Sequence, residues 1–115
     1  MLRRARGGLA AFLIAIACLS GAAHASTATG KINRVYVMGN GVAMFHLDHP
    51  PRTGLPACAT GLPTRWAFNA ATPEGQAKLS LVLTAYSSGR EMVVHGLDAC
   101  PDWGDTESVN FMYTL

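Results

Sequence analysis

The sequence predicts a mainly β domain with one helix, closed as a small barrel, and three local signals carry that reading. Asn40-Gly41 separates two β-rich runs, Thr72-Pro73-Glu74 opens a single amphipathic segment, and Val109, Phe111, Tyr113 and Leu115 alternate with Ser108, Asn110, Met112 and Thr114. Asn-Gly adopts the positive φ angles of a two-residue hairpin turn. A Thr cap followed by Pro and Glu begins a helix, and period-2 alternation marks a half-buried strand.

The elements follow a predicted export signal. Arg3, Arg4 and Arg6 precede the apolar run Leu9–Leu19, and Ala23-His24-Ala25 has the small-any-small pattern of a signal peptidase site, so residues 1–25 read as a signal peptide cleaved after Ala25. The run is shorter than the roughly 20 residues that span a bilayer, so no membrane span is expected in the mature protein. Cys18 as a lipid anchor is the weaker alternative, because Ala15 stands where a lipobox prefers Leu. The Arg pair lacks the apolar residues that follow a twin-arginine signal. Secreted or periplasmic residence follows.

Residues 26–115 then form one domain. The chain is 50% hydrophobic and 14% charged, which excludes a disordered polymer, and 115 residues exclude multidomain machinery. Without the three leader arginines, six Lys or Arg face seven Asp or Glu. Those cations are spread thinly rather than clustered, so nucleic acid is not an expected partner.

Ser26 to Gly30 is a polar lead expected to be mobile. Lys31–Met38 reads as a strand, and Val42–Leu47 returns as its hairpin partner. Four prolines between Asp48 and Thr64 exclude a regular element there. Arg65–Asn69 is a short strand with Trp66 and Phe68 on one face. The helix runs from the Thr72 cap to Gly89, with Leu79, Val82, Leu83 and Tyr86 as the core-facing stripe. Glu91–Leu97 is β-rich, Asp98–Asp105 is a loop, and the last strand places Val109, Phe111, Tyr113 and Leu115 on one face. The order β-β-β-α-β-β is that of an OB-fold, a Greek-key barrel with a helix between its third and fourth strands. A ββαββ sandwich with one open sheet is the competing architecture.

Two cysteines remain in the mature chain, Cys58 and Cys100, and in a small exported domain they read as one disulfide. Closing that loop stabilises by about 4 kcal/mol in the chain-entropy account. Zinc needs further ligands at short spacing, and a catalytic thiolate needs a partner His that the sequence does not place.

Cys58, Arg65-Trp66-Ala67-Phe68, Gly75-Gln76-Ala77, Leu83-Thr84-Ala85-Tyr86-Ser87-Ser88-Gly89 and Gly96 before Cys100 together resemble small secreted bacterial proteins of unassigned function, over most of the mature chain. The order of strands and helix resembles the B subunits of pentameric bacterial toxins of the subtilase cytotoxin type. That resemblance implies a disulfide-bonded OB-fold, glycan recognition and a ring of subunits. No sugar-contacting residue of that family matches a position here, so none is carried over.

Candidate chemistry is sparse. His46-Leu47-Asp48-His49 has the donor types of a transition-metal site without a recognised spacing, and a solvated strand end is the simpler reading. His95 lacks a Gly-x-Ser-x-Gly partner motif and reads as an ordinary strand histidine. Asp98, Asp102, Asp105 and Glu107 lack EF-hand spacing and read as a solvated acidic loop rather than a glycosidase pair. No catalytic residue, metal or cofactor is assigned.

The loop before the last strand is the expected ligand contact. In an OB-fold the loop joining strands four and five borders the ligand face, and here it carries Asp102, Trp103 and Asp105. An indole stacks on the C–H face of a sugar while carboxylates accept its hydroxyl hydrogens; the competing role of Trp103 is to cover the disulfide. On the helix, Ala77, Leu81 and Ala85 fall opposite the core stripe and predict a homo-oligomer interface, which the toxin resemblance implies is that of a pentamer. The resulting expectation is an exported, non-catalytic domain that binds a glycan or protein surface. A monomeric periplasmic accessory or inhibitor protein and a small enzyme are the alternatives.

Overall fold

The computed structural model describes residues 25–48 and 52–115. The proposed signal peptide, Cys18 included, lies outside the described residues up to its last residue, Ala25, which is exposed. The elements are β1 (Thr27–Val37), β2 (Val42–Leu47), a 3-10 turn (Ala57–Ala59), β3 (Arg65–Asn69), α1 (Pro73–Ser88), β4 (Glu91–Gly96) and β5 (Val109–Thr114). The strands form one five-stranded antiparallel sheet in the order β3-β2-β1-β4-β5. Expectation and structure thus share a mainly β fold with one helix, to which the structure adds the 3-10 turn.

Among the described residues the expected barrel closure is not formed. The two ends of the sheet meet at one isolated parallel bridge, Ala67 with Ser108, where Ala67 N–H donates to the Glu107 carbonyl at 3.1 Å. The reason is that β5 begins only at Val109, after the chain has made that single bridge.

Strand β1 begins at Thr27, so the Ser26–Gly30 lead is not loose. Its first half, Thr27 to Lys31, pairs with β4 and its second half pairs with β2, with a shift in register between Ile32 and Arg34. Such a bulge bends a strand, which lets one strand serve two neighbours. The β1–β2 turn also departs from the two-residue form. Gly41 N–H donates to Met38 O at 2.9 Å, Met38 N–H donates to Val42 O at 2.7 Å, and Gly41 has φ +87 while Asn40 does not enter the left-handed region. This is the three-residue hairpin loop that ends in a left-handed glycine.

Helix α1 covers one face of the sheet. Thr72 Oγ1 accepts from Gly75 N–H at 3.0 Å, Pro73 occupies the first turn, and Gly89 closes the helix at φ +65. Val82 and Ala85 are buried against Phe45, Trp66, Phe68, Met92 and Val94, with Leu79 and Leu81 packed beside them. The core-facing stripe is therefore rotated from the expected one: Leu83 and Tyr86 are about half exposed, at 45% and 49%. Gly75 explains the rotation, because a Cβ there would overlap the Asn69 carbonyl; the helix approaches the sheet through this glycine, and Val82 and Ala85 follow it inward.

The alternation of the last strand also breaks. Gly96 pairs with Val109 but His95 pairs with Phe111, so Asn110 is the extra residue of a bulge. Val109 is in the core, whereas Phe111, Tyr113 and Leu115 face outward and Met112 faces α1. Cys58 and Cys100 form a disulfide with their Cα atoms 6.3 Å apart, tying the proline-rich loop to the loop after β4. Among the described residues, no helix is long and apolar enough to cross a membrane.

Candidate functional site

The loop between β4 and β5 is held by a buried ion pair whose partners lie 55 residues apart in sequence. Arg52 Nη1 lies 3.1 Å from Glu107 Oε1, and both side chains are essentially inaccessible, at 1% and 0% exposure. The guanidinium also donates to the carbonyls of Pro63 (2.5 Å), Leu62 (3.3 Å) and Arg65 (2.6 Å), and lies 3.8 Å from the Trp66 ring centroid. Burial lowers its pKa to about 10 against the opposing pull of Glu107, so it stays charged at neutral pH. Glu107 Oε1 accepts from Ser26 Oγ, and Oε2 accepts from Asp98 N–H at 3.0 Å. A Cβ on Gly96 would overlap the Glu107 carboxylate, so the absence of a side chain at Gly96 makes room for the charge. Glu107 is thus a buried anchor, which corrects its expected place in a solvated acidic loop.

This anchoring sets the loop on the sheet face that α1 leaves uncovered, over β2 and β3. Trp103 is half-buried there and packs, with Tyr36 and Met38, against Val42, Met44 and Ala67. A tight turn carries the chain from Trp103 to Thr106, whose N–H donates to Trp103 O at 3.0 Å. Next to it Arg65 fans out: Nε donates to Thr106 Oγ1 at 2.7 Å, Nη1 to Tyr36 Oη at 3.3 Å, and Nη2 to the largely exposed Asp105 Oδ1 at 2.5 Å. The His46 ring lies 6.1 Å from the Tyr36 ring, with Nδ1 3.1 Å from Thr64 Oγ1. Partial burial, then Arg34 and Arg65, lower the His46 pKa, so its imidazole is neutral at pH 7.

Two expected ligand residues, Trp103 and Asp105, therefore meet Tyr36, His46 and Arg65 on one surface. Asp102 borders the same turn, half-buried, with its N–H donating to Ser108 Oγ at 3.2 Å. The indole caps the outward side chains Met44 and Ala67. Sequence reasoning missed Tyr36 and Arg65. The signal for them was present, because inward Trp66 and Phe68 make Arg65 and Ala67 outward on the same strand, but the docking of the loop onto that face has no local signature.

The other candidates are dispersed. His46 and Asp48 have separate partners, Asp48 Oδ1 accepting from Lys31 N–H at 2.7 Å, while His49 lies outside the described residues. No group of three His, Cys, Asp or Glu is placed to share a metal ion among the described residues. His95 Nδ1 lies 3.1 Å from Thr27 Oγ1, and its ring stacks on Phe111 at 4.2 Å. Of the helix stripe proposed as an interface, Ala85 is buried in the core and so is no part of a surface, whereas Leu81, partly buried, and Ala77, exposed, line one groove beside β5. The correction has the same cause as the rotated core stripe.

Chemically, the surface offers two aromatic rings, a guanidinium, a neutral imidazole, hydroxyls and carboxylates, groups that stack on and hydrogen-bond to a neutral polar ligand. Compared with known proteins, the chain matches no family model, no curated protein and no solved structure.

Proposed function

We propose that this chain is an exported, non-catalytic recognition domain that binds a glycan on the outer face of β2 and β3. The observation that carries the reading is the convergence of Trp103, Tyr36, Arg65 and Asp105 on one patch. Aromatic faces stack on the apolar face of a sugar ring, and an Arg–carboxylate pair donates to and accepts from hydroxyls. The site lies on a loop seated on a sheet, where a rigid scaffold positions binding residues. The strand pairing supports an OB-fold-like placement of the site: β1 pairs with both β2 and β4, and the chain before β5 approaches β3 in parallel, which leaves the loop between β4 and β5 where OB-folds border their ligand face.

The test is a glycan array probed with the oxidised, exported protein, followed by calorimetry on the best glycan. Trp103→Ala and Arg65→Gln are each expected to weaken binding at least about tenfold, in line with truncation of a hot-spot side chain, and stability is measured alongside. A glycan that binds equally well to both folded variants refutes the assignment of this face. An array with no glycan bound refutes the ligand class.

A further inference from the structure

Among the described residues, one of the sheet's two edges is engaged and the other is bare. At β3, the Ala67 N–H is taken by the Glu107 carbonyl. At β5, hydrogen-bond parity decides which groups are free. Leu115 N–H donates to Glu91 O at 3.0 Å and Gly96 N–H donates to Ser26 O at 2.8 Å, so Glu91, Val93 and His95 face β5 while Met92, Val94 and Gly96 face β1. In the observed register Tyr113 and Phe111 therefore bond to β4, and Met112 and Thr114 direct their N–H and C=O groups away from the sheet. Among the described residues, neither backbone has a hydrogen-bond partner on that side.

Natural edge strands are blunted by charge, proline or cover. The segment Val-Asn-Phe-Met-Tyr-Thr-Leu (109–115) has no charged residue and no proline, and its outward side chains Phe111, Tyr113 and Leu115 are each about half exposed. Beside it runs a groove of about 230 Å³ between α1 and β5, floored by Ala77 and Leu81. Lys78 Nζ caps the Val109 carbonyl at 3.1 Å, which limits the open edge to the residues after it.

We infer that β5 pairs with β5 of a second copy of this chain, antiparallel across a two-fold axis at Met112. The register follows from the free groups. Met112 faces the partner subunit's Met112 in a hydrogen-bonded pair, and Asn110 faces the partner subunit's Thr114. Phe111 then lies opposite the partner's Tyr113, and Tyr113 opposite the partner's Phe111, both in the close non-hydrogen-bonded positions where aromatic side chains interact across strands. The same register sets no charge against a like charge. A peptide or another protein would satisfy the same backbone groups, but the strand's complementarity is to itself. Among the described residues the outward groups of Arg65 and Ala67 on β3 are already engaged, so a head-to-tail ring finds no second free edge there, and a self-complementary patch closes as a two-fold dimer.

The test uses the full exported protein in native mass spectrometry and light scattering across the micromolar range. The wild type is expected to be a dimer. Phe111→Lys combined with Tyr113→Lys sets Lys against Lys twice and is expected to weaken the dimer at least about a hundredfold, with circular dichroism and thermal midpoint showing an intact subunit. Phe111→Lys combined with Tyr113→Glu sets opposite charges against each other in the same register and is expected to restore the dimer. Thr114→Pro, which removes an outward N–H and none of the β4 ladder, is expected to give a folded monomer. A monomeric wild type at every concentration, a ring mass, a dimer indifferent to the paired lysines, or a charge-swapped chain that stays monomeric overturns the inference.

Discussion

Replacing Glu107 by Ala is expected to destabilise the domain by about 4 kcal/mol, the middle of the range for removing one partner of a buried ion pair. The carboxylate accepts from Arg52 Nη1, Ser26 Oγ and Asp98 N–H, and all three donors lose a partner. Arg52 keeps three backbone carbonyls and the Trp66 face, which holds the loss below the upper end of the range. Removing both charges, with Arg52→Met and Glu107→Met together, takes away the uncompensated guanidinium and is expected to recover at least about 2 kcal/mol of that loss. The assay is urea unfolding of the disulfide-intact protein followed by tryptophan fluorescence, to which Trp66, lying against Arg52, is a local reporter. A loss below about 1 kcal/mol for Glu107→Ala would place the pair among interactions of surface strength and refute the argument. So would a double variant no more stable than Glu107→Ala alone.

Two further expectations concern the same framework. Cys100→Ser, which opens a loop closed over a sequence separation of 42 residues, should lower stability by about 2–5 kcal/mol in the same urea assay; a midpoint unchanged from the oxidised wild type would contradict a structural role. His46, held below its usual 6.5 by burial and by Arg34 and Arg65, binds fewer protons folded than unfolded in the window below pH 6.5. Stability is therefore complete above that value and falls as pH drops through the window. Thermal unfolding from pH 7.5 to 4.5 should show His46→Gln with a shallower decline than the wild type, and identical slopes would refute it.

The legible part of this fold is local. The Thr72 cap, the Gly89 stop, the Asn40-Gly41 turn region, four strands and the second half of β1 are written in neighbouring residues, as is the disulfide in the count of cysteines; Thr27–Gly30, which reads as a loose lead, is strand because it pairs with β4. What the sequence concealed is decided at a distance. Apolar residues cover more than half of the helix circumference, so periodicity offered two faces, and the contact of Gly75 with the Asn69 carbonyl selected between them. The inserted Asn110 turned Phe111, Tyr113 and Leu115 from predicted core into surface, because a one-residue offset sends every later side chain to the other face. Arg52 and Glu107 look like ordinary solvated charges in sequence, and only the fold joins them. The candidate site was half legible for the same reason: Trp103 and Asp105 stand out within their loop, whereas Tyr36 and Arg65 gain meaning once that loop lies on β2 and β3.

The recognition face and the bare edge draw on different residues. The Trp103 patch is built with Tyr36, Met38, Val42, Met44 and Ala67, whereas the free backbone groups are those of Met112 and Thr114, past the Ala67–Ser108 bridge where the two ends of the sheet meet, so pairing β5 to β5 extends the sheet through backbone groups that the patch does not use. Two such patches on a rigid dimer engage a crowded surface at an effective concentration set by their spacing, and avidity then exceeds single-site affinity by about 100-fold or more where both sites reach ligands. This separates the two proposals. The paired-lysine change at Phe111 and Tyr113 removes the second site from the complex and leaves every side chain of the first in place, so it acts on binding to a dense surface and not on binding to a free oligosaccharide. Trp103→Ala acts on both and leaves the dimer mass unchanged.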